Sequence, residues 1–340
     1  VIHPLPSSDL DEVLEASRSS LSELRSARIL LTGATGFLGK WLLETFSAAN
    51  RELSLHAELT ALSRDPETFC ERAPHLAREK SITWLRGDVR ALEKLPGKFT
   101  HIIHAATPVG GQYENQETYE TTVEGTKRIL SLAGRPEIGS PKLLYLSSGA
   151  VYGELPPGVE SASEDSAQEG GRNLAPFSYG LAKKEAERLC HASSTPTVIA
   201  RCFAFLGPHI PLDQTFAAGA FIASALQKET LVVRGDGTAV RSYMYPSDLM
   251  SWLWTLLIQG KPGRTYNVGS EEAVTIRQLA ARIAGQQNLG FEVLGMTVEG
   301  RSASRYLPNT SRVRSELGLM CSVSLDEACR RTLDWYERNR

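Results

Sequence analysis

Thr32-Gly33-Ala34-Thr35-Gly36-Phe37-Leu38-Gly39 follows the apolar run Ile29-Leu30-Leu31 and precedes Lys40-Trp41-Leu42-Leu43-Glu44-Thr45-Phe46, whose apolar spacing is helical. Strand, glycine-rich turn and helix in that order form the arrangement that receives a dinucleotide. One glycine permits the tight turn, one lets the backbone approach a pyrophosphate, and one lets helix pack on strand. The helix N-terminus then offers N–H groups and a partial positive charge to phosphates. Gly33, Thr35, Gly36, Phe37, Leu38 and Gly39 are therefore candidate cofactor-binding residues. The spacing is Gly-x-x-Gly-x-x-Gly rather than the commoner Gly-x-Gly-x-x-Gly, and ordinary strand-to-helix turns also use glycine. The rest of the chain has to decide.

Outward from this loop, strand and helix alternate. The pattern predicts strands at Arg28–Leu31, Glu58–Leu62, Ile82–Leu85, His101–His104, Lys142–Ser147 and Thr197–Arg201, with helices between them such as Tyr113–Leu132 and Tyr179–His191. Such a βαβ series makes a doubly wound parallel sheet, an α/β Rossmann domain, covered on both faces. Residues 1–27 read as an N-terminal helical extension, one amphipathic helix or two short ones, with Ser7-Ser8-Asp9 as its cap. The Rossmann domain is expected over 28–206.

After Gly207-Pro208 the rhythm breaks. A helix-like Thr215–Leu226, the run Leu231-Val232-Val233, the turn Gly235-Asp236-Gly237, the tyrosine-rich Ser242–Tyr245 and a helix at Asp248–Leu257 follow. Thr275-x-x-Gln278 and Ser324-x-x-Glu327 have the form of capping boxes. Residues 207–340 are expected to form a smaller α/β region, mainly for substrate, with some elements returning to the main sheet.

The totals narrow the class. A chain of 340 residues, 41% hydrophobic and 22% charged, has enough apolar material for a sizeable core in an ordinary globular protein. A net charge of −2 points to no nucleic-acid partner. The apolar stretch Met250–Ile258 is too short to span a membrane, and Val1–Leu10 lacks the apolar core of a secretory leader. Cys70, Cys190, Cys202, Cys321 and Cys329 are odd in number and scattered. No pair has metal-ligand spacing, so neither a disulfide framework nor a metal site is expected, and a reducing, cytoplasmic setting fits.

The end of the second strand meets the adenosine ribose in dinucleotide folds: a carboxylate there suits NAD, a basic or hydroxyl residue the 2′-phosphate of NADP. Here the run is Leu62-Ser63-Arg64-Asp65-Pro66. Ser63 and Arg64 stand where the carboxylate would be, which favours NADP(H) over NAD(H), unless Arg64 simply pairs with Asp65. Gly87-Asp88-Val89 closes the third strand, where Asp88 can accept from an adenine amine. His104-Ala105-Ala106-Thr107 closes the fourth, its small residues letting backbone lie against the dinucleotide, with His104 structural.

Tyr179-Gly180-Leu181-Ala182-Lys183 places a phenol and an amine at i and i+4, on one helix face. A free tyrosine titrates near ~10, too high for acid–base work at neutral pH, and a nearby cation stabilises the phenolate. By itself this spacing also describes any amphipathic helix. Upstream, however, Ser147-Ser148-Gly149-Ala150-Val151-Tyr152-Gly153 leaves the apolar fifth strand. A strand-end hydroxyl, a tunable phenol, a lysine and a nicotinamide pocket make a carbinol-to-carbonyl hydride-transfer site.

Together, Thr32–Gly39, Asp88, His104-Ala105-Ala106, Ser148, Tyr179 and Lys183 resemble the extended short-chain dehydrogenase/reductases. Arg201-Cys202-Phe203-Ala204-Phe205-Leu206-Gly207-Pro208, Gly235–Ser242, Tyr245–Leu249 and Tyr266-Asn267-Val268-Gly269 resemble their nucleotide-sugar epimerase/dehydratase branch. The resemblance implies that Tyr179 is the base, that Lys183 holds the nicotinamide ribose and tunes Tyr179, and that Ser148 bonds the sugar oxygen. It adds Val89, Ala105, Ala106, Thr107 and Phe203 to the cofactor set. It implies that Ala204 and Val232 lie along the substrate, with Leu231–Val233 at the base, and that Arg241, with Arg305 second, contacts the diphosphate of a nucleotide-sugar substrate. Arg241 could instead form a salt bridge with Asp236 or Asp248. A homodimer through the helices at Tyr113–Leu132 and Tyr179–His191 is implied in the same way.

Departures from the family pattern bear on reaction type. Dehydratases of the family carry Asp and Glu after the strand-end residue, and decarboxylases a Glu at the second position; here Gly149 and Ala150 stand there, and neither transfers a proton. Two reactions remain: C4 epimerisation, placed slightly ahead, and NADPH-dependent 4-keto reduction. A non-catalytic dinucleotide-binding regulator is the alternative from another class, and the intact Ser148, Tyr179 and Lys183 argue against it. Ala204 and Thr122 replace family asparagines, which points to an unusual sugar or a different binding mode.

Overall fold

The computed structural model describes residues 1–108, 116–156, 158–168, 178–213, 216–296 and 303–339. In chain order these form α1 (Ser7–Ser22), β1 (Arg28–Thr32), α2 (Phe37–Glu52), β2 (Glu58–Ser63), α3 (Pro66–Arg72), α4 (Pro74–Ala77), β3 (Ile82–Arg86), β4 (His101–His104), α5 (Gln116–Ala133), β5 (Lys142–Ser148), α6 (Tyr179–Ala192) and β6 (Thr197–Cys202). Then come α7 (Ala217–Gln227), β7 (Leu231–Val233), β8 (Val240–Arg241), α8 (Pro246–Gln259), β9 (Thr265–Val268), β10 (Val274–Thr275), α9 (Ile276–Gln286), β11 (Phe291–Val293), β12 (Arg305–Tyr306), α10 (Ser311–Leu317) and α11 (Leu325–Arg338).

The central sheet has seven strands in the order β3-β2-β1-β4-β5-β6-β9, and β1 pairs parallel with both β2 and β4. The order reverses at β1, so the carboxyl end of β1 faces the crevice where such sheets take ligands. Burial on both faces explains the continuous apolar runs: every residue of β6, and all but the first of β1 and β5, is buried. All six expected strands form, and five run one residue further, to Thr32, Ser63, Arg86, Ser148 and Cys202.

The chain divides into two compact units. The first comprises Val1–Val151, Leu174–Arg201 and Met250–Tyr266, the second Tyr152–Asn173, Cys202–Leu249 and Asn267–Arg340. In the first, Leu30, Ile102, Leu143 and Ile199 of the strands pack with Ile129, Leu130 and Ala186 of α5 and α6. In the second, Phe221, Ile222, Leu231, Leu279, Ile283 and Leu333 bring α7, β7, α9 and α11 into one core.

Several local expectations need correction. No side chain caps α1, whose N-cap is Pro6, and Ser17 (φ −119°, ψ 17°) interrupts it, so the two-helix alternative is the better description. Leu5 N–H donates to Glu44 of α2 at 2.7 Å and Gln259 of α8 donates to Ser20 at 3.0 Å, which ties this extension to the sheet's helices. Thr275 and Gln278 form a full capping box. Ser324 caps α11, but Glu327 turns to Arg330 and Arg331 instead of back to the cap. The first residues of the expected 113–132 helix, and Thr215, lie outside the described residues.

A buried hydrogen-bond chain fixes β1 to β4 and α5. Thr32 Oγ1 accepts from Ala105 N–H (3.1 Å) and Ala106 N–H (3.2 Å), so its own proton goes to His104 Nδ1 at 2.7 Å. His104 then carries its hydrogen on Nε2 and donates to Thr126 (3.1 Å), which donates to Thr122 O (2.7 Å). Burial, then the nearby Lys183 cation, pulls His104 down to about 3, so the fold holds it neutral. Thr122, in the place of a family asparagine, ends this relay and itself donates to Thr118 O.

Two tests follow from this scaffold. A Cβ on Gly39 would lie 2.3 Å from the carbonyl oxygens of Gly33 and Ala34, whereas one on Gly36 would meet only Gly33 O, at 3.4 Å. Gly39→Ala should cost ~1–3 kcal/mol and Gly36→Ala no more than ~0.5 kcal/mol, measured by urea unfolding; equal losses would contradict the packing assignment. For His104, an unfolded histidine titrates near ~6.5. The unfolded chain therefore binds an extra proton below that pH, so stability holds above it and declines as pH falls. Between about pH 7 and about pH 5.5 the wild-type chain should lose ~1 kcal/mol more than His104→Gln.

Candidate functional site

The first unit holds the glycine loop. Gly33 has φ +70°, and a Cβ there would lie 2.6 Å from Ala105 O, so the loop and the end of β4 are in backbone contact. Gly36 is the N-cap of α2, and no side chain caps that end. Gly36 is exposed, at ordinary φ, and a Cβ there would make only an ordinary contact with Gly33 O. Packing does not require glycine at this position, and its bare backbone leaves the helix N-terminus open to an approaching group. A pyrophosphate fits this cradle, which Thr35, Phe37 and Leu38 flank.

At the end of β2, Ser63 is buried and its Oγ accepts from Asp65 N–H at 3.2 Å, while Arg64 is exposed. Asp65 does not serve Arg64. Its carboxylate caps α3 by accepting from Thr68 N–H at 3.3 Å and lies 3.7 Å from Arg86. Asp88 is gripped by Arg90 through Nη2 (2.7 Å) and Nε (3.0 Å), which holds the Asp88 carboxyl below its usual range. Val89 beside it is buried, and Ala105, Ala106 and Thr107 are half-buried after β4.

Tyr179 opens α6 and is half-buried, with Ser178 capping the helix by accepting from Leu181 N–H at 3.3 Å. Lys183, one turn on, is 2% exposed. Its ammonium donates to Leu146 O (2.6 Å) and Thr107 Oγ1 (2.9 Å), stands 4.9 Å from the Tyr145 ring centre and 5.8 Å from that of Tyr179. Leu146 precedes Ser148 by two residues on β5, so the Tyr179–Lys183 face runs along the strand that ends in Ser148. Ser148 Oγ accepts from Ala150 N–H at 3.1 Å. One further turn along the same face, Glu187 accepts from Ser147 and from Arg201, whose Nη2 lies 2.7 Å from Oε2. The 179/183/187 spacing could have revealed Glu187 beforehand; Tyr145 looked like an ordinary core aromatic.

The second unit holds the remaining candidates. Phe203 stacks on Tyr306 with ring centres 4.8 Å apart, and half-buried Ala204 bonds through its carbonyl to Met244 N–H at 3.0 Å. Arg241 forms no salt bridge with Asp236 or Asp248, which bind Thr238 and Ser322 instead. It donates to Val240 O (2.8 Å) and Ser304 O (3.1 Å) and lies 6.0 Å from the Tyr306 ring centre. Arg305 donates through Nε to Glu160 O at 3.1 Å. Val232, 36% exposed between buried Leu231 and Val233, lines a cleft of about 620 Å³ with Phe221, Gln227, Arg234 and Ile276. Among the described residues no His, Cys, Asp and Glu side chains group to hold a metal, and no helix is long and apolar enough to cross a membrane.

Comparison with known proteins agrees with this fold. The family model for the NAD dependent epimerase/dehydratase family matches residues 29–269. UDP-glucuronic acid decarboxylase 1 of Xenopus tropicalis is 28% identical over 328 residues, covering 94% of this chain and 74% of its own. dTDP-glucose 4,6-dehydratase of Streptomyces antibioticus is 25% identical over 331 residues, covering 92% and 93%. The crystal structure of UDP-glucuronic acid 4-epimerase from Bacillus cereus, in complex with UDP-glucuronic acid and NAD, superposes with a TM-score of 0.76 at 22% identity, covering 92% of this chain and 100% of its own. With a family match spanning most of its length and a doubly wound fold to accompany it, the chain belongs to the NAD dependent epimerase/dehydratase family, nucleotide-sugar-modifying enzymes of the extended short-chain dehydrogenase/reductase class.

Proposed function

We propose that this enzyme epimerises a nucleoside-diphosphate sugar at C4 by reversible hydride transfer, with Tyr179 as base. The observation that carries this is the buried Lys183 ammonium, fixed beside Tyr179 along the strand that ends in Ser148. Bound on the Gly33–Gly39 cradle, a nicotinamide dinucleotide supplies hydride acceptance and return. Tyr179 Oη takes the proton of the sugar hydroxyl, and the Lys183 cation favours the phenolate that must exist beforehand. The Ser148 hydroxyl donates to the same sugar oxygen and steadies it as it becomes a carbonyl. Once the keto sugar has turned its other face to the cofactor, return of the hydride and of the proton from Tyr179 gives the inverted carbinol, and no second acid–base pair is needed.

Gly149 and Ala150 support epimerisation over elimination or decarboxylation. Two of the relatives are named for those reactions, yet neither residue here can move a proton at the adjoining carbon. Arg241, whose hydrogen bonds go to carbonyls rather than carboxylates, suits a diphosphate, with Arg305 as a second contact. Val232 and its cleft suit the base, and Phe203 and Ala204 the nicotinamide and sugar.

For the cofactor, NADP(H) is favoured over NAD(H): Ser63 offers a hydroxyl, and Arg64 is exposed with Asp65 committed elsewhere. Asp88, Val89, Ala105, Ala106 and Thr107 complete the dinucleotide site. The same arginine supports a second reading, 4-keto-sugar reduction with exchangeable NADPH. We infer from the family resemblance a cytoplasmic homodimer that contacts through α5 and α6.

Incubation with a panel of UDP-, dTDP-, GDP- and CDP-sugars, with product stereochemistry read by NMR, tests the reaction; conversion only of 4-keto sugars with NADPH would select the reductase. Tyr179→Phe should lower kcat by at least ~10²-fold while cofactor affinity is kept, and turnover at the wild-type rate would remove Tyr179 as base. Arg64→Ala should weaken NADPH binding by ~10–100-fold and leave NADH binding unchanged. A strong wild-type preference for NADH would overturn the cofactor assignment.

A further inference from the structure

Lys183 lies within a compact set of ionisable groups in the first unit. Tyr179, Lys183 and Glu187 follow one another at single turns along one face of α6. His104 faces them from β4, Tyr145 from β5, Cys190 from α6 and Arg201 from β6. Burial drives His104 to about 3, keeps the Tyr145 phenol protonated and pushes the Cys190 thiol up, so these three are neutral in the working range. Among the charged groups described at this face of α6 are Lys183 and the Glu187–Arg201 ion pair.

Glu187 stands i+4 from Lys183, a spacing at which helical lysines and glutamates reach each other. Here the carboxylate is turned to the sheet. Arg201 binds it in bidentate fashion, with Nε 3.0 Å from Oε1 and Nη2 2.7 Å from Oε2, and Ser147 donates a further hydrogen bond. Both members of the pair are buried, 4% and 7% exposed. The partners described for the Lys183 ammonium include the Leu146 carbonyl, the Thr107 hydroxyl and the face of Tyr145, all neutral. Neutral partners fix an ammonium without cancelling its charge, whereas a carboxylate would cancel it.

We propose that Arg201 is a positioning residue that holds the Glu187 carboxylate away from Lys183, so that the lysine's charge acts on the Tyr179 phenol. The proposal rests on Tyr179 being the base. With Arg201 in place, the pair on β6 and α6 sums to zero and phenolate formation balances Lys183. Without Arg201, an uncompensated carboxylate one turn away opposes the formation of a second anion and competes for the ammonium.

The titration of Tyr179 itself tests this without requiring the sugar to be known. The cofactor-loaded enzyme is labelled with carbon-13 at tyrosine Cζ, and Tyr179→Phe identifies the resonance. The wild-type midpoint should fall well below ~10. Arg201→Met should raise it by about one pH unit, Glu187→Gln should lower it, and Arg201→Met combined with Glu187→Leu should return it to the wild-type value. The double variant replaces a buried ion pair with apolar groups, a change that proteins commonly tolerate. A wild-type midpoint near the ordinary tyrosine value would overturn Tyr179 as base. A low wild-type midpoint that Arg201→Met leaves in place would overturn only the role given to Arg201. If Arg201→Met does not fold, a midpoint raised in Glu187→Gln or in the double variant overturns that role equally.

Discussion

The buried ammonium of Lys183 is the constraint on which the rest of the first unit depends. Removing an ammonium from water costs several kcal/mol even after relaxation. Three elements offset that cost at once: Thr107 after β4, Leu146 and Tyr145 on β5, and the helix that carries the lysine. A cation over an aromatic face is worth ~2 kcal/mol when desolvated, so Tyr145 is part of the charge's solvation as well as of the core. The contacts need α6 at one rotation and one height along β5. Glu187 and Arg201 pin the same face one turn further on. The position of Tyr179 at the head of α6 is therefore set by what its helix must do with two buried charges.

Much of this was legible in the residue pattern, for physical reasons that vary by element. Strands buried on both faces write themselves as continuous apolar runs, so β1, β5 and β6 were visible at once. The last residues of β1, β2 and β5 were not, because Thr32, Ser63 and Ser148 are polar and look like the start of a loop. Yet these ends are buried: the Ser63 and Ser148 hydroxyls accept backbone hydrogen bonds from the turns that follow them, and the Thr32 hydroxyl accepts them from the end of β4. Helical periodicity showed that Tyr179 and Lys183 share a face. It could not show that Arg201, reached only through the order β5-β6 of the sheet, would meet Glu187. Pairings within one helix follow from spacing; pairings between elements need the topology.

The capping residues make the same distinction at smaller scale. Thr275 and Gln278 satisfy each other in a reciprocal capping box. Glu327 has the same spacing from Ser324, but Arg330 and Arg331 lie one turn on, and their charge-assisted bonds draw the carboxylate away and hold it at about 2. Asp65 is the converse case. It looked like a partner for Arg64, yet the α3 N-terminus and Arg86 claim it. Local motifs are offers of hydrogen bonds, and nearby charge decides which are accepted.

Gly36 and the pair Gly149–Ala150 show how absence of a side chain carries information about ligands. Gly39 is glycine because the fold leaves no room for a Cβ; Gly36 is glycine although the fold leaves ample room. Glycine is also an ordinary N-cap residue, so Gly36 is the position where a ligand can approach the backbone without displacing a side chain. Gly149 and Ala150 work in the opposite sense. They follow Ser148 directly, where an acid and a base would have to stand for elimination, and supply neither. On the proposed assignment, the chemistry left to one phenol, one hydroxyl and one buried cation is to take a proton from a carbinol and give it back.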